Sequence, residues 1–355
     1  MRPHYFNMAS LAMLIIAMVL ICCILIIMLL RKRQERNQQK WKLIADLLIR
    51  KAIFFEEEDG SDTDIHLTSR TVKLMKNKRF RKLLTLEMIN ARKNVSGTSA
   101  DNLKKLYLQL NLDQFALAKL KNGKWYLKAQ VIQELSIMDL KENLTKIYRF
   151  INNSNDLLRM EAQIAVVRLY GFEGLRFLDM VTQPLSEWQQ IKLLHELANV
   201  PAENFSGIEK WLKSSNKSVV VFALKLTRIY HRFELHDALT LCLTDENAHV
   251  RYQAIMSLGE IYTHETSGIL VTRLLKEEPR EQKAILQVLQ NLGTTDDILI
   301  LLDQLNYENA SVKFMAAKAL SKIGPEGYES LKQHPQAGKY PLSGIIKQIS
   351  SEMAV

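Results

Sequence analysis

Cysteine is scarce in this chain: Cys22, Cys23 and Cys242 are the whole set. Two are adjacent in an apolar run and the third stands alone, so no disulfide framework can form, which fits a reducing compartment. A glycine-rich phosphate loop, a dinucleotide fingerprint, a Cys-x-x-Cys pair and a His-Glu-x-x-His zinc motif are all missing. Each is the local pattern that its nucleotide or metal chemistry requires, so no cofactor and no metal is expected. The 13 glycines and eight histidines are scattered. No nucleophile, base and orienting group can be assembled from their spacing, so the chain reads as non-catalytic.

What the chain does have is a long apolar run, Leu11 to Leu30. As a helix rising about 1.5 Å per residue it would span about 30 Å, the thickness of a bilayer hydrocarbon core. Arg2 is the only basic residue before the run, whereas Arg31, Lys32, Arg33, Arg36 and Lys40 follow it closely. Basic flanks stay on the cytoplasmic side. Leu29-Leu30 passes directly into Arg31, with no small-residue cleavage site between. Residues 1–30 are therefore expected to form an uncleaved transmembrane anchor. The N-terminus would lie outside and the C-terminal domain in the cytoplasm, at the cell's inner (cytoplasmic) membrane.

Residues 31–64 read as a juxtamembrane helix and an acidic linker. Arg36 to Phe55 places Trp41, Ile44, Leu47 and Leu48 on one apolar face. That face could lie on the membrane surface with Trp41 at the headgroups, or pack on the domain that follows. Glu56 to Asp64 is acidic and rich in helix breakers, as a flexible linker is, and its spacing does not match a calcium-binding loop.

Residues 65–121 form a basic helical region. Between 65 and 130 there are fifteen Lys or Arg against Glu87, Asp101 and Asp113, whereas 131–355 carries 24 basic and 27 acidic residues. The densest cluster is Lys73, Lys76, Lys78, Arg79, Arg81 and Lys82. With Arg31, Lys32, Arg33, Arg36 and Trp41 it is expected to meet anionic headgroups or an acidic partner, at roughly 1 kcal/mol per basic residue near a bilayer. The plain alternative is a solvated helical face.

Residues 122–334 repeat. Small anchors stand at Ala129, Ala162, Ala223, Ala254 and Ala316, and an Asn precedes each by seven residues: Asn122, Asn155, Asn216, Asn247 and Asn309. Four before each anchor is a bulky apolar side chain: Trp125, Leu158, Val219, Val250 and Val312. The intervals are 31 to 33 residues or close to twice that, which leaves room for units at Gln190 and Ala284 that lack the Asn. The Asn suits a helix N-cap and the small anchor lets a second helix approach. A pair of helices cannot bury its apolar stripes alone, but stacked pairs share one core.

The pattern Asn-x-x-Val-Arg-x-x-Ala-x-x-x-Leu-Gly of Asn247 to Gly259 resembles the short bacterial form of the HEAT repeat. That resemblance implies an all-α chain: one transmembrane helix, then a right-handed α–α superhelix, a solenoid of about seven helical pairs. Residues 335–355 would cap it. Trp125, Trp188 and Trp211 fall on apolar stripes and are expected in the core. His231 and His236 straddle a turn and are expected at the polar surface.

Deoxyhypusine hydroxylase, a HEAT-like di-iron enzyme, carries His-Glu dipeptides just before the repeat alanine. Here His195-Glu196 and His264-Glu265 lie elsewhere, and the matching positions hold Met160-Glu161, Tyr252-Gln253 and Phe314-Met315, so its ligand set is absent. The resemblance implies instead a membrane-tethered scaffold binding protein partners, by analogy a subunit of an envelope complex that makes or exports a glycan. The alternative is a HEAT-like enzyme, a pigment lyase or one acting on nucleic acid. It would require a basic stripe along the array holding a paired aromatic and carboxylate; the charge instead sits beside the anchor, so nucleic acid is not expected as a partner. A sensor ranks behind both, since few residues precede the run.

Overall fold

Between Pro3 and Gly60 there is neither proline nor glycine, and nothing in that stretch interrupts a helix. The computed structural model describes residues 3–55, 65–198, 200–201 and 207–353, and in the first helix the side chains from Met13 on except that of Ile15. Pro3–Ile53 is one helix, α1. The acidic linker Glu56–Asp64 lies outside the described residues. Among the described residues every regular element is helical and no strand occurs. The chain divides into two compact units, Met1–Leu169 and Tyr170–Val355.

In the first unit α1 is followed by α2 (Ser69–Met75), α3 (Lys78–Arg92), α4 (Thr98–Gln109), α5 (Leu112–Asn122), α6 (Trp125–Ile137), α7 (Leu144–Tyr148) and α8 (Asp156–Tyr170). The end of α1 buries Ala45, Leu48, Ile49 and Ala52, a stripe of one helical face, and packs against α3 and α4. Trp41 is half-buried, its ring edge-on to Phe80 with centroids 6.2 Å apart. Of the two alternatives for this segment, packing on the domain is the one observed. The buried stripe is rotated from the expected one, and Leu47 is exposed.

Among the described residues no helix is long and apolar enough to cross a membrane. The expected span falls partly on residues whose side chains are not described, Leu11, Ala12 and Ile15. Every side chain from Ile16 to Leu30 is exposed, and the run then meets Arg31, Lys32, Arg33 and Arg36, exposed as well.

The second unit contains α9 (Glu187–Leu197), α10 (Ile208–Leu212), α11 (Lys217–Ile229), α12 (His236–Cys242), α13 (Ala248–Leu258), α14 (Thr266–Leu274), α15 (Pro279–Leu292), α16 (Ile298–Asp303), α17 (Ala310–Lys322), α18 (Pro325–Gln333) and α19 (Leu342–Met353). Successive first helices α11, α13, α15 and α17 pack side by side in order. The anchors explain why: Ala223, Ala254 and Ala316 are fully buried, as is Ala162 in the first unit, and Ala284 nearly so. Gln190 is buried too. A polar anchor is tolerated there because its amide donates to the Leu185 carbonyl at 3.3 Å and accepts from Lys225 at 2.8 Å. Pro325 opens α18, since a proline at the first helical position loses no hydrogen bond.

The caps follow the sequence at four of five positions. Asn216, Asn247 and Asn309 accept backbone N–H bonds at the starts of α11, α13 and α17, and Asn155 accepts from Leu158 at 3.1 Å. Asn122 is the exception. It ends α5, and Lys124 takes the cap position of α6 with no side-chain bond. Trp125, in the first turn of α6, is correspondingly 45% exposed, while Leu158, Val219, Val250 and Val312 are buried. Asn247→Ala should therefore cost about 1 kcal/mol of stability, and Asn122→Ala no more than a few tenths, a difference that urea unfolding resolves.

A further repeat was hidden by its anchor. Asn77 caps α3, Phe80 is buried four residues before fully buried Leu84, and Arg81 donates to the Met75 carbonyl. Arg159 and Arg251 make the same clasp, each reaching the carbonyl six residues back, Asn153 at 2.7 Å and Asp245 at 2.9 Å. The register of Asn247–Ala254 thus returns at Asn77–Leu84, with leucine in place of alanine.

Candidate functional site

Two features of the molecule present chemistry to solvent, one in each unit. In the first unit α3, α5 and α6 line a half-open cavity of about 580 Å³. Lys78, Arg81 and Lys82 enter it from α3 and Lys119 from α5. The Arg81 guanidinium lies 4.1 Å over the Phe115 ring, while one of its nitrogens holds Met75, so its direction is fixed at both ends. Among the described residues Lys78, Lys82 and Lys119 form no ion pair with an acid.

The acid in that lining is Glu134. It is buried, and the Tyr107 hydroxyl, itself buried, donates to Oε1 at 2.6 Å. Burial pushes the Glu134 carboxyl above the ordinary carboxylate range, against the Tyr107 hydrogen bond and the charge of Lys119, which favour ionisation. Burial and the adjacent carboxylate push the Tyr107 phenol far up. A cation rim over a buried carboxylate floor is the result.

Sequence reasoning found half of this. Lys78, Arg81 and Lys82 of the basic cluster come together, whereas exposed Lys73, Lys76 and Arg79 do not line the cavity. Lys119 and Glu134 were not singled out, because they join the cluster only through the packing of α5 and α6 on α3. A second basic cavity of about 490 Å³ lies on another side of α5, where Lys121, Lys128, Lys146 and Arg149 surround Leu120 and Phe150.

In the second unit the repeat register sets out three rings, exposed at Trp188 and half-buried at Tyr252 and Phe314. Trp188, Tyr252 and Phe314 stand two residues before Gln190, Ala254 and Ala316. Each carries a cation over its face: Lys192 at 5.0 Å, Arg280 at 4.7 Å and Lys318 at 5.9 Å from the ring centroids. The intervening positions, Val221 and Gln282, are buried. With helices spaced about 10 Å, rings on alternate units fall roughly 20 Å apart. Trp188 is 59% exposed, which corrects its expected place in the core; Trp211 is buried, its indole donating to Asp179 at 2.8 Å. Beside the row, burial and the charges of Arg280 and Lys225 hold the His249 pKa below the usual histidine range, leaving the ring neutral at pH 7.

The remaining polar groups are structural. His236 is buried rather than at the surface, its Nε2 2.9 Å from the Thr266 hydroxyl. His231, His195 and His264 are exposed. Burial pushes the Cys242 thiol up to about 11, which keeps it protonated and unreactive near neutrality. No group of three or more metal-ligating side chains gathers among the described residues.

Comparison with known proteins agrees with this architecture. Residues 237–264, which span α12, α13 and the turn after it, match the family model of the HEAT repeat. No curated protein matches the chain by sequence. Among solved structures, an engineered protein aligns over 79% of this chain and 87% of its own at 16% identity and a TM-score of 0.40. Human deoxyhypusine hydroxylase with glycerol aligns over 90% and 96% at 13% identity and a TM-score of 0.29. The complex of CpcE and CpcF of phycocyanin lyase from Nostoc aligns over 84% and 99% at 12% identity and a TM-score of 0.24. All three are remote likenesses, and no activity passes from them to this chain. The matched segment is a HEAT repeat, and capped and clasped helices repeat its register at Asn155 and, with leucine as anchor, at Asn77.

Proposed function

We propose that the chain is a non-catalytic, membrane-tethered adaptor that holds a protein partner on its second unit. The row of Trp188, Tyr252 and Phe314 is the observation that carries this reading. Large rings with fixed cations above them are the side chains that dominate binding energy at protein interfaces, and the repeat register rather than chance places them on one row of helices. The tether rests on the uninterrupted α1 and its exposed apolar side chains, which water would not leave uncovered, followed by Arg31, Lys32 and Arg33 at the cytoplasmic flank. Membership of an envelope complex that makes or exports a glycan belongs to the same proposal.

A second reading, an enzyme with its site in the first unit, draws on the cavity where Phe115 and Glu134 share a space with four cations. Nucleic acid fits it poorly, because a strand needs cations along an extended groove and these converge on one short cleft. The test is recovery of partners by the full chain from native membranes, beside the double variant Trp188→Ala, Tyr252→Ala. One stoichiometric protein, reduced about tenfold or more in the variant while the melting temperature holds, is the expected result. Equal recovery by both chains would remove the row from the account.

A further inference from the structure

The cavity in the first unit is more selective than a patch of positive charge. Four cations line it, and Lys78 and Lys82 form no ion pair among the described residues while Lys119 acts by its charge on Glu134, an arrangement that can receive an anion of more than one charge. A site for a bare anion, however, would exclude carboxylates, since a like charge in a confined space repels the ligand. Glu134, buried and held in place by Tyr107, is nevertheless part of the lining. In its ionised form it is compatible with an anion when the ligand also brings a hydroxyl to donate to it. Thr85, Asn122 and Gln130 add uncharged partners of the kind that bind hydroxyls, and Phe115, Leu112 and Leu127 supply surface for carbon. The volume suits a small organic molecule.

We infer that this cavity binds a phosphorylated polyol, its phosphate held by Lys78, Arg81, Lys82 and Lys119 and a hydroxyl donating to Glu134. The shared chemistry is a phosphate ester on a hydroxylated carbon frame. It has two sources, a soluble phosphate monoester or the diester headgroup of a glycerol-bearing lipid. The site is independent of the ring row and of any protein partner bound there. Lys119 is the group on which the phosphate depends most directly, because it comes from α5 and closes the rim opposite α3. Glu134 is the group that separates a polyol phosphate from phosphate itself.

The experiment is calorimetric titration of the full chain, in a nonionic detergent without a sugar headgroup. The ligands are inorganic phosphate, glycerol 3-phosphate and glycerophosphoglycerol. A glycerol-bearing ligand should bind about tenfold more tightly than phosphate, the gain of one hydrogen bond to a charged group. Preference for the monoester assigns a soluble ligand and preference for the diester a lipid headgroup; either supports the inference. Glu134→Gln, which keeps the volume and an acceptor for Tyr107, should raise the affinity for phosphate and erase most of the preference. Lys119→Glu should weaken every ligand by about tenfold or more. Far-ultraviolet dichroism and melting temperature establish that both variants are folded. The inference is overturned if phosphate and the two glycerol esters bind equally, if none binds, or if Glu134→Gln leaves the preference intact.

Discussion

Replacing Glu277 with alanine should lower the stability of the chain by about 3–5 kcal/mol. Its side chain is 1% exposed and sits between two guanidinium groups. Arg251 donates to Oε2 at 2.8 Å, and Arg273, one turn before Glu277, donates to Oε1. Arg251 also holds the Asp245 and Glu246 carbonyls at 2.9 and 3.1 Å, so the carboxylate links the turn ahead of α13 to the end of α14. Removing it strands two partly buried cations, and the whole desolvation cost of that pairing is then uncompensated. Denaturant unfolding of wild type, Glu277→Ala, Arg251→Ala and the double variant measures the coupling. A double variant close to either single would establish that Glu277 and Arg251 act as one unit.

The second large effect separates two aromatics of the repeat's first helices. Phe222→Ala should cost about 3–5 kcal/mol, because its ring is fully buried beside the Ala223 anchor and leaves a cavity behind. Trp188→Ala, one register position earlier on α9 and 59% exposed, should stay within about 0.5 kcal/mol of wild type. Thermal unfolding of the two variants ranks them. A Trp188 variant as damaged as the Phe222 variant would place that ring in the core and take away the surface row.

Much of the fold was legible because its rules are local. An Asn seven residues before a small residue foretold a helix cap and a buried anchor, and Ala162, Ala223, Ala254 and Ala316 are all fully buried. The copies at Gln190 and Ala284, read from spacing alone, are also buried first helices. The copy at Asn77 escaped notice because Leu84 occupies the small-residue position, yet its Asn, Phe80 and Arg81 keep their roles. Trp125 and Trp188 were misplaced because both lie in the first turn of a helix, where a residue on the apolar stripe can still point past the neighbouring helix. The cavity was half visible. Lys78, Arg81 and Lys82 are neighbours in sequence, whereas Lys119 and Glu134 reach them only when α5 and α6 fold back, a long-range event that no local pattern records.

The adaptor reading is tested most directly by a photo-crosslinking amino acid placed at Trp188 in the full chain, within native membranes, with Phe222 as the buried control. The account predicts one protein adduct of defined mass in the membrane fraction from position 188 and none from position 222. A chain recovered from the soluble fraction would contradict the tether. A membrane-bound chain that yields no protein adduct at Trp188, or yields one equally at Phe222, would contradict the partner-binding row.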